Sequence, residues 1–80
     1  MLLGEFAMEE LLKILEELKP DVDFSTETGL IDNAILDSFD IVQLITTLKE
    51  TFDIDITPAD IVPENFNSAE SLWAMVQRLQ

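Results

Sequence analysis

One serine stands out as the residue on which chemistry could occur. Ser38 lies in the segment Ile35-Leu36-Asp37-Ser38-Phe39-Asp40-Ile41-Val42, where an irregular acidic stretch gives way to an amphipathic helical pattern. The chain has no histidine and no cysteine, so it cannot assemble a Ser-His-Asp or Cys-His nucleophile. It carries 17 acidic and 4 basic residues, a net charge of −13. These features favour a serine that another protein modifies over a serine that performs catalysis.

The sequence disfavours other kinds of reactive site. The two glycines, Gly4 and Gly29, do not form a phosphate-binding loop. An EF-hand loop counted from Asp53 would place Pro58 where a glycine is needed, so we expect no specific metal site and only weak binding of divalent ions. Carboxylates are plentiful, but 80 residues leave little volume for a closed substrate pocket. We therefore expect a protein that is not an enzyme.

The composition limits the class of fold and of partner. We expect residues 1–80 to form a single domain, with a core made by apolar packing alone because there are no disulfides. The negative charge argues against nucleic acid and favours basic protein partners, although acidity would also serve solubility alone. No segment approaches the about 20 apolar residues of a membrane span, and the N-terminus lacks a signal-peptide pattern. We expect a cytoplasmic monomer that does not insert into membranes.

The hydrophobic periodicity predicts an all-α fold. We expect a small four-helix bundle, with three main helices, one short helix and a long loop after the first helix. The first helix is predicted over residues 3–19 and ends before Pro20. The second is predicted over Ser38–Thr51, with Asp37 or Ser38 as its N-cap. The apolar positions predicted for the first helix are Leu3, Phe6, Leu11, Ile14, Leu15 and Leu18, and those for the second are Ile41, Leu44, Ile45, Leu48 and Phe52.

The loop over residues 20–37 contains apolar side chains that we expect to anchor it across the helices. A short helical turn is predicted near Leu30–Asn33. These anchors are Phe24, Leu30, Ile31, Ile35 and Leu36.

The second half of the chain contains an extended connector and two more helices. Residues 52–56 alternate like a strand but have no partner strand, so we expect a connector with Ile54 and Ile56 pointing inward. A short helix should follow, with Thr57 as cap and Pro58 in its first turn, and Pro63 should end it.

The last helix is predicted to run to the end of the chain. Asn67 and Glu70 resemble a capping box at its start. Its apolar face is predicted to contain Leu72, Trp73, Val76 and Leu79.

Two interpretations of Ser38 are open from local sequence. Its hydroxyl could cap the second helix, or it could carry a modification, since a helix N-terminus favours a phosphate group. Phe39 and Val42 fall off the predicted buried face and would provide apolar docking surface beside the serine, with Asp40, Gln43 and Glu50 as polar groups near that side. Phe39 packing inward against the loop is an equally ordinary alternative.

The motif around Ser38 resembles that of the acyl carrier protein family. Asp37-Ser38-Phe39-Asp40 opens an acidic amphipathic helix and follows Leu30-Ile31-Asp32 and Leu36 in register. The segments 52–56 and 60–68 resemble the family's connector and its short third helix. The resemblance covers residues 6–79, and it implies a carrier protein.

The resemblance implies a cofactor and a set of partners. A phosphopantetheinyl transferase would move 4′-phosphopantetheine from coenzyme A onto Ser38. A loading ligase or synthetase would then charge the arm's thiol with an acyl or aminoacyl group. A downstream acyltransferase or synthase of a fatty-acid, polyketide, peptide or D-alanyl pathway would receive that group. The implied partner-binding residues are Asp37, Phe39, Asp40 and Val42, with Glu50 and Asp60 at the periphery.

The chain departs from the family's pattern at two positions. Phe39 stands where leucine is usual, and Gln43 stands where glutamate is frequent. Both departures indicate a dedicated pathway, such as a D-alanyl carrier or a discrete carrier beside a specialised synthetase. The rival interpretation is an unmodified acidic helical adaptor that binds a basic protein partner through the same helix.

Overall fold

The fold is all-α, as the periodicity predicts. The computed structural model describes the backbone of residues 2–80 and the side chains of residues 8–80. It contains four α-helices: α1 (Leu2–Leu18), α2 (Ser38–Phe52), α3 (Pro63–Phe66) and α4 (Ala69–Leu79), with a 3₁₀ helix over Pro58–Asp60. No strand occurs within residues 2–80. The predicted bundle of three main helices with a shorter one and a long first loop is therefore confirmed.

The core forms where the apolar faces of α1, α2 and α4 meet. These faces are buried because each helix repeats apolar residues at three- and four-residue spacing, which places them on one side. The side chains of Leu3 and Phe6, which the sequence assigned to the α1 face, lie outside the described side chains. The fully buried side chains of these three helices are Leu11, Leu15, Leu44, Leu48, Leu72, Met75 and Val76.

The loop over residues 19–37 is pinned across the bundle by its apolar side chains. Phe24, Leu30 and Leu36 are buried, and Ile31 and Ile35 are half-buried. Backbone hydrogen bonds close a turn at the predicted place: Ile35 N and Leu36 N both donate to Leu30 O at 3.0 Å. The loop thereby delivers the chain to the start of α2 in a fixed position.

The connector after α2 also packs as predicted. Ile54 and Ile56 are buried, with 8% and 6% of their surfaces exposed. Asp53 has φ +52°, a left-handed conformation that ends α2 and turns the chain toward the 3₁₀ helix. Thr57 is the cap of that helix, and the Asp60 carboxylate accepts hydrogen bonds from its backbone N and its Oγ1, both at 3.1 Å.

Two predicted helix boundaries were wrong. Pro63 does not simply stop a helix; it occupies the first position of α3, where its missing N–H costs nothing. Asn67 does not cap α4. Ser68 does, with its Oγ accepting from Ser71 N at 3.0 Å.

Asn67 is instead a link between distant parts of the chain. Its Oδ1 accepts from Ile31 N at 3.0 Å and from Asp32 N at 3.1 Å, and its Nδ2 donates to Asp32 Oδ2 at 3.2 Å. Its backbone carbonyl accepts from Leu30 N at 2.9 Å. These bonds fasten the first loop to the junction of α3 and α4, a long-range role that a local capping pattern does not report.

Among residues 2–80, no helix has the combination of length and apolar character that a bilayer span requires.

Candidate cofactor-attachment site

Ser38 is the first residue of α2, and the cap of that helix is made without it. Asp37 is the N-cap, in extended conformation, and its Oδ1 accepts from Asp40 N at 2.9 Å. The Asp40 Oδ2 accepts in return from Asp37 N at 3.2 Å, which completes a reciprocal capping box. Asp37 was one of the two predicted caps, and the structure selects it over Ser38.

The Ser38 hydroxyl is therefore available. The side chain is exposed, and its Oγ takes part in none of the hydrogen bonds found among the described residues. The interpretation of Ser38 as a helix cap is removed, because Asp37 performs that function. The start of α2 therefore carries an exposed, unengaged hydroxyl on a turn that the Asp37 and Asp40 side chains hold in place.

Asp40 does not lie near the exposed side of α2, where the helical pattern predicted it. Its side chain is only 12% exposed, and its Oδ2 lies 3.1 Å from Nζ of Lys19, at the end of α1. This oxygen also accepts from Asp37 N, so the carboxylate is occupied within the fold. The geometry gives no support to a direct partner contact by Asp40; the helical wheel of α2 turns this position toward α1.

The hydrogen bond from Asp37 N holds the pKa of Asp40 below its usual value of 3.8. Partial burial opposes that shift, and Lys19 adds to it through a hydrogen bond and its charge. The ionised carboxylate is the form that these contacts favour.

We expect this lowered pKa to make the effect of Asp40→Asn on stability depend on pH. A carboxyl group whose pKa is lower in the folded than in the unfolded chain stabilises the fold at pH values above its unfolded pKa. That stabilisation is lost as the pH falls through the folded pKa. The difference in unfolding free energy between parent and Asp40→Asn should be constant near neutrality and shrink below about pH 4. Urea titrations between about pH 3 and pH 7 measure it.

Asp55→Asn serves as the control for charge alone, since Asp55 is exposed and lies 4.0 Å from Lys49 at the rim of the molecule. If the difference in unfolding free energy between parent and Asp40→Asn stayed the same from acid to neutral pH, the contacts of Asp40 with Asp37 N and Lys19 would be contradicted.

The surface beside Ser38 is apolar and open. Phe39 is 73% exposed and Val42 62% exposed, so the alternative in which Phe39 packs inward is wrong. Of the other residues predicted to bind partners, Asp37 and Glu50 are exposed and Asp60 is half-buried. Their role in partner binding stays a prediction. The exposed members of this set lie on α2 and its N-cap, and the half-buried Asp60 lies on the 3₁₀ helix.

An apolar groove begins one turn after Ser38. It has a volume of about 100 Å³ and lies between the first loop, α2 and the start of α3. The hydrophobic periodicity predicted Ile41 for a buried face but did not indicate a groove. The signal that could have indicated it is the adjacent apolar pair Ile61 and Val62. The groove is lined by Ile31, Ile41, Ile61, Val62, Pro63 and Phe66.

Comparison with known proteins identifies the class to which this site belongs. The family described as phosphopantetheine attachment site matches residues 7–76. The chain is 32% identical over 74 residues to a D-alanyl carrier protein of Lactobacillus delbrueckii subsp. bulgaricus, covering 90% of this chain and 91% of that one. It is 32% identical over 72 residues to a D-alanyl carrier protein of Lactococcus lactis subsp. cremoris, covering 90% and 86%. It is 38% identical over 63 residues to aminoacyl carrier protein 1 of Bradyrhizobium diazoefficiens, covering 79% and 69%.

The chain belongs to the family of phosphopantetheine-dependent carrier proteins. It carries acyl or aminoacyl groups on a covalently attached 4′-phosphopantetheine. Proteins of this family are generally not catalysts, and carriage implies encounters with loading ligases and transferases.

The residues at the start of α2 fit such a group. The Ser38 hydroxyl is exposed, and a phosphodiester formed there would lie at the positive end of the α2 dipole. The arm supplies a terminal thiol that forms a thioester, chemistry that this cysteine-free chain cannot supply itself. The chain's own contribution would be to hold the hydroxyl outward beside the exposed side chains of Asp37, Phe39 and Val42.

Proposed function

We propose that Ser38 carries the phosphopantetheine arm and that the arm carries an amino acid, with D-alanine as the first candidate. The observation that supports Ser38 most is its exposed, unengaged hydroxyl on a helix start that Asp37 and Asp40 cap without its help. In the transfer, Ser38 Oγ bonds to the phosphorus attached to pantetheine, the pyrophosphate bond of coenzyme A breaks, adenosine 3′,5′-bisphosphate leaves, and the hydroxyl proton passes to a base on the transferase.

The support for an amino-acid cargo comes from the relatives. Two of those described above are named D-alanyl carrier proteins and a third is named an aminoacyl carrier protein. The departures from the family's usual residues at Phe39 and Gln43 also favour a dedicated set of partners. Both residues are exposed on α2, Phe39 next to Ser38 and Gln43 on the side of α2 that faces α1.

The exposed residues around Ser38 are proposed to receive the partner enzymes. Asp37 and Glu50 present carboxylates to basic partners, and Phe39 and Val42 present apolar surface between them. Exposed charges of this kind mainly raise the association rate and orient the encounter, which suits a carrier that must also dissociate. In this proposal the chain acts in the cytoplasm, beside the coenzyme A from which the arm is taken, and performs no turnover of its own.

Loading of the modified protein tests the cargo. The chain carrying phosphopantetheine is incubated with ATP, D-alanine and a D-alanyl carrier protein ligase, and in parallel with ATP, a medium-chain fatty acid and an acyl carrier protein synthetase. We expect the intact mass to rise by one alanyl group in the first reaction, and hydroxylamine to remove it because the link is a thioester. Fatty acylation without any alanylation would contradict the proposed cargo while leaving the carrier function in place.

A further inference from the structure

The ion pair between Lys19 and Asp40 joins the end of α1 to the start of α2. Lys19 Nζ lies 3.1 Å from Asp40 Oδ2, with side-chain exposures of 36% and 12%. The other ion pair among the described residues, Lys49 with Asp55, is 4.0 Å long and has exposures of 45% and 85%. In a chain with 4 basic residues against 17 acidic ones, one of these few cations is thus committed to an almost covered carboxylate.

The same carboxylate oxygen holds the backbone beside Ser38. Asp40 Oδ2 accepts from Asp37 N at 3.2 Å as well as from Lys19 Nζ, and Asp40 N donates to Asp37 Oδ1 at 2.9 Å. Ser38 and Phe39 are enclosed in this ring of two reciprocal hydrogen bonds. The Lys19–Asp40 ion pair therefore links the residue that follows α1 to the turn that contains Ser38.

Removing Lys19 would make the covered position of the Asp40 carboxylate less favourable. A carboxylate withdrawn from water is tolerated when its charge is paired and its oxygens are hydrogen-bonded. Without the ammonium group, Asp40 recovers its solvation best by swinging outward, and that movement releases Asp37 N. The first turn of α2, which contains Ser38, would then open more often.

We infer that Lys19 and Asp40 are positioning residues, which hold the backbone around Ser38 in the conformation on which the phosphopantetheinyl transferase acts. This rests on the proposed attachment at Ser38. It differs from the contact role that the family resemblance implied for Asp40, because a side chain buried against Lys19 acts through the turn and touches no partner. The two roles predict different kinetic effects.

Steady-state modification measures the difference. The unmodified chain is the varied substrate, coenzyme A is saturating, and the temperature lies well below the melting point of every variant. We expect Lys19→Met to lower kcat about tenfold and to change KM by less than about twofold, since misplacement of the hydroxyl affects the chemical step and leaves docking intact. Lys19→Arg keeps the charge and should restore kcat to within about twofold of the parent.

Two further variants separate positioning from charge and from stability. Lys49→Met removes one cation from the far end of α2 and should leave kcat unchanged. Val76→Ala opens space in the core on α4, away from the attachment turn, and should reduce stability with an unchanged kcat. A rise in KM at constant kcat for Lys19→Met would overturn the inference in favour of direct partner contact, and so would an equal loss of kcat in Val76→Ala at matched stability.

A second measurement needs no transferase. Amide hydrogen exchange at Asp37 should be faster in Lys19→Met than in the parent by about tenfold, with unchanged exchange at buried α4 amides. Unchanged exchange at Asp37 would overturn the inference even if Ser38 is modified normally. Failure of the parent to accept the arm, with faster exchange in the variant, would instead remove the proposed attachment and leave the structural role of the pair.

Discussion

We expect the replacement of Ser38 by alanine to abolish modification and to leave the fold intact. The parent chain, incubated with coenzyme A and a promiscuous phosphopantetheinyl transferase, should gain the mass of one phosphopantetheine, and Ser38→Ala should gain none. The loss should be complete because the substitution removes the acceptor oxygen. The hydroxyls at two other helix starts, Thr57 and Ser68, are engaged in hydrogen bonds with Asp60 and Ser71. Intact-mass spectrometry of both proteins gives the result directly.

The Ser38→Ala substitution should leave the stability of the fold nearly unchanged. Since Asp37 and Asp40 form the cap, removal of the Ser38 hydroxyl breaks none of the hydrogen bonds found there. We expect Ser38→Ala to change the free energy of unfolding by less than about 0.5 kcal/mol, the usual effect of a surface substitution away from a structural contact. The matched control is Ser25→Ala, an exposed loop serine, which should be modified like the parent at Ser38.

An unchanged mass for the parent with several active transferases would refute the attachment and favour the acidic adaptor, in which Ser38→Ala retains binding to a basic partner. Modification of Ser38→Ala would place the arm on another residue. Peptide mapping of that product would then locate the acceptor.

We expect the replacement of Asn67 by alanine to cause a large loss of stability. Its side chain accepts from Ile31 N and Asp32 N and donates to Asp32 Oδ2, so alanine leaves two backbone donors of the first loop without their partner. Unsatisfied, partly buried donors cost about 1–3 kcal/mol each, and water can compensate for the more exposed one. We expect a loss of about 2–3 kcal/mol in the free energy of unfolding, measured by urea titration.

A reciprocal exchange tests the assigned contacts. Asn67→Asp keeps the acceptor for both N–H groups but places a second carboxylate beside Asp32. Combining it with Asp32→Asn again places one donor opposite one acceptor at this contact. The double variant should recover most of the lost stability, and a double-mutant cycle measures that coupling. The control is Asn33→Ala, an exposed loop asparagine with a single 3.3 Å bond to Glu27, which should cost less than about 0.5 kcal/mol. Equal losses for Asn33→Ala and Asn67→Ala would contradict the link.

Breaking the hydrogen bonds of Asn67 should also alter the surroundings of Ser38. Ile31 lines the apolar groove that begins one turn after Ser38, and its backbone N is one of the two donors held by Asn67. The groove's shape on that side therefore depends on a side chain from the junction of α3 and α4. This connects the stability of the first loop with the surroundings of the proposed attachment residue.

The sequence by itself determined the main helices and indicated a candidate attachment residue. Apolar spacing located α1 and α2 to within one residue at each end, and the absence of histidine and cysteine indicated that any chemistry at Ser38 is supplied from outside. The exposure of Val42 followed from the same spacing, because helical periodicity reports which side of a helix a residue occupies. Such information is local and can be read from neighbouring positions.

Only the tertiary structure decided which polar side chain serves which purpose. Asn67 caps no helix and instead bonds to residues 35 and 36 positions away, and Asp40 turns inward to meet Lys19 across the first loop. A capping pattern or an acidic residue on a helix looks the same in sequence whether its partner is water, its own helix or a distant element. The choice is made by which elements pack together, because a polar group that packing withdraws from water must find its hydrogen bonds among the groups packed around it.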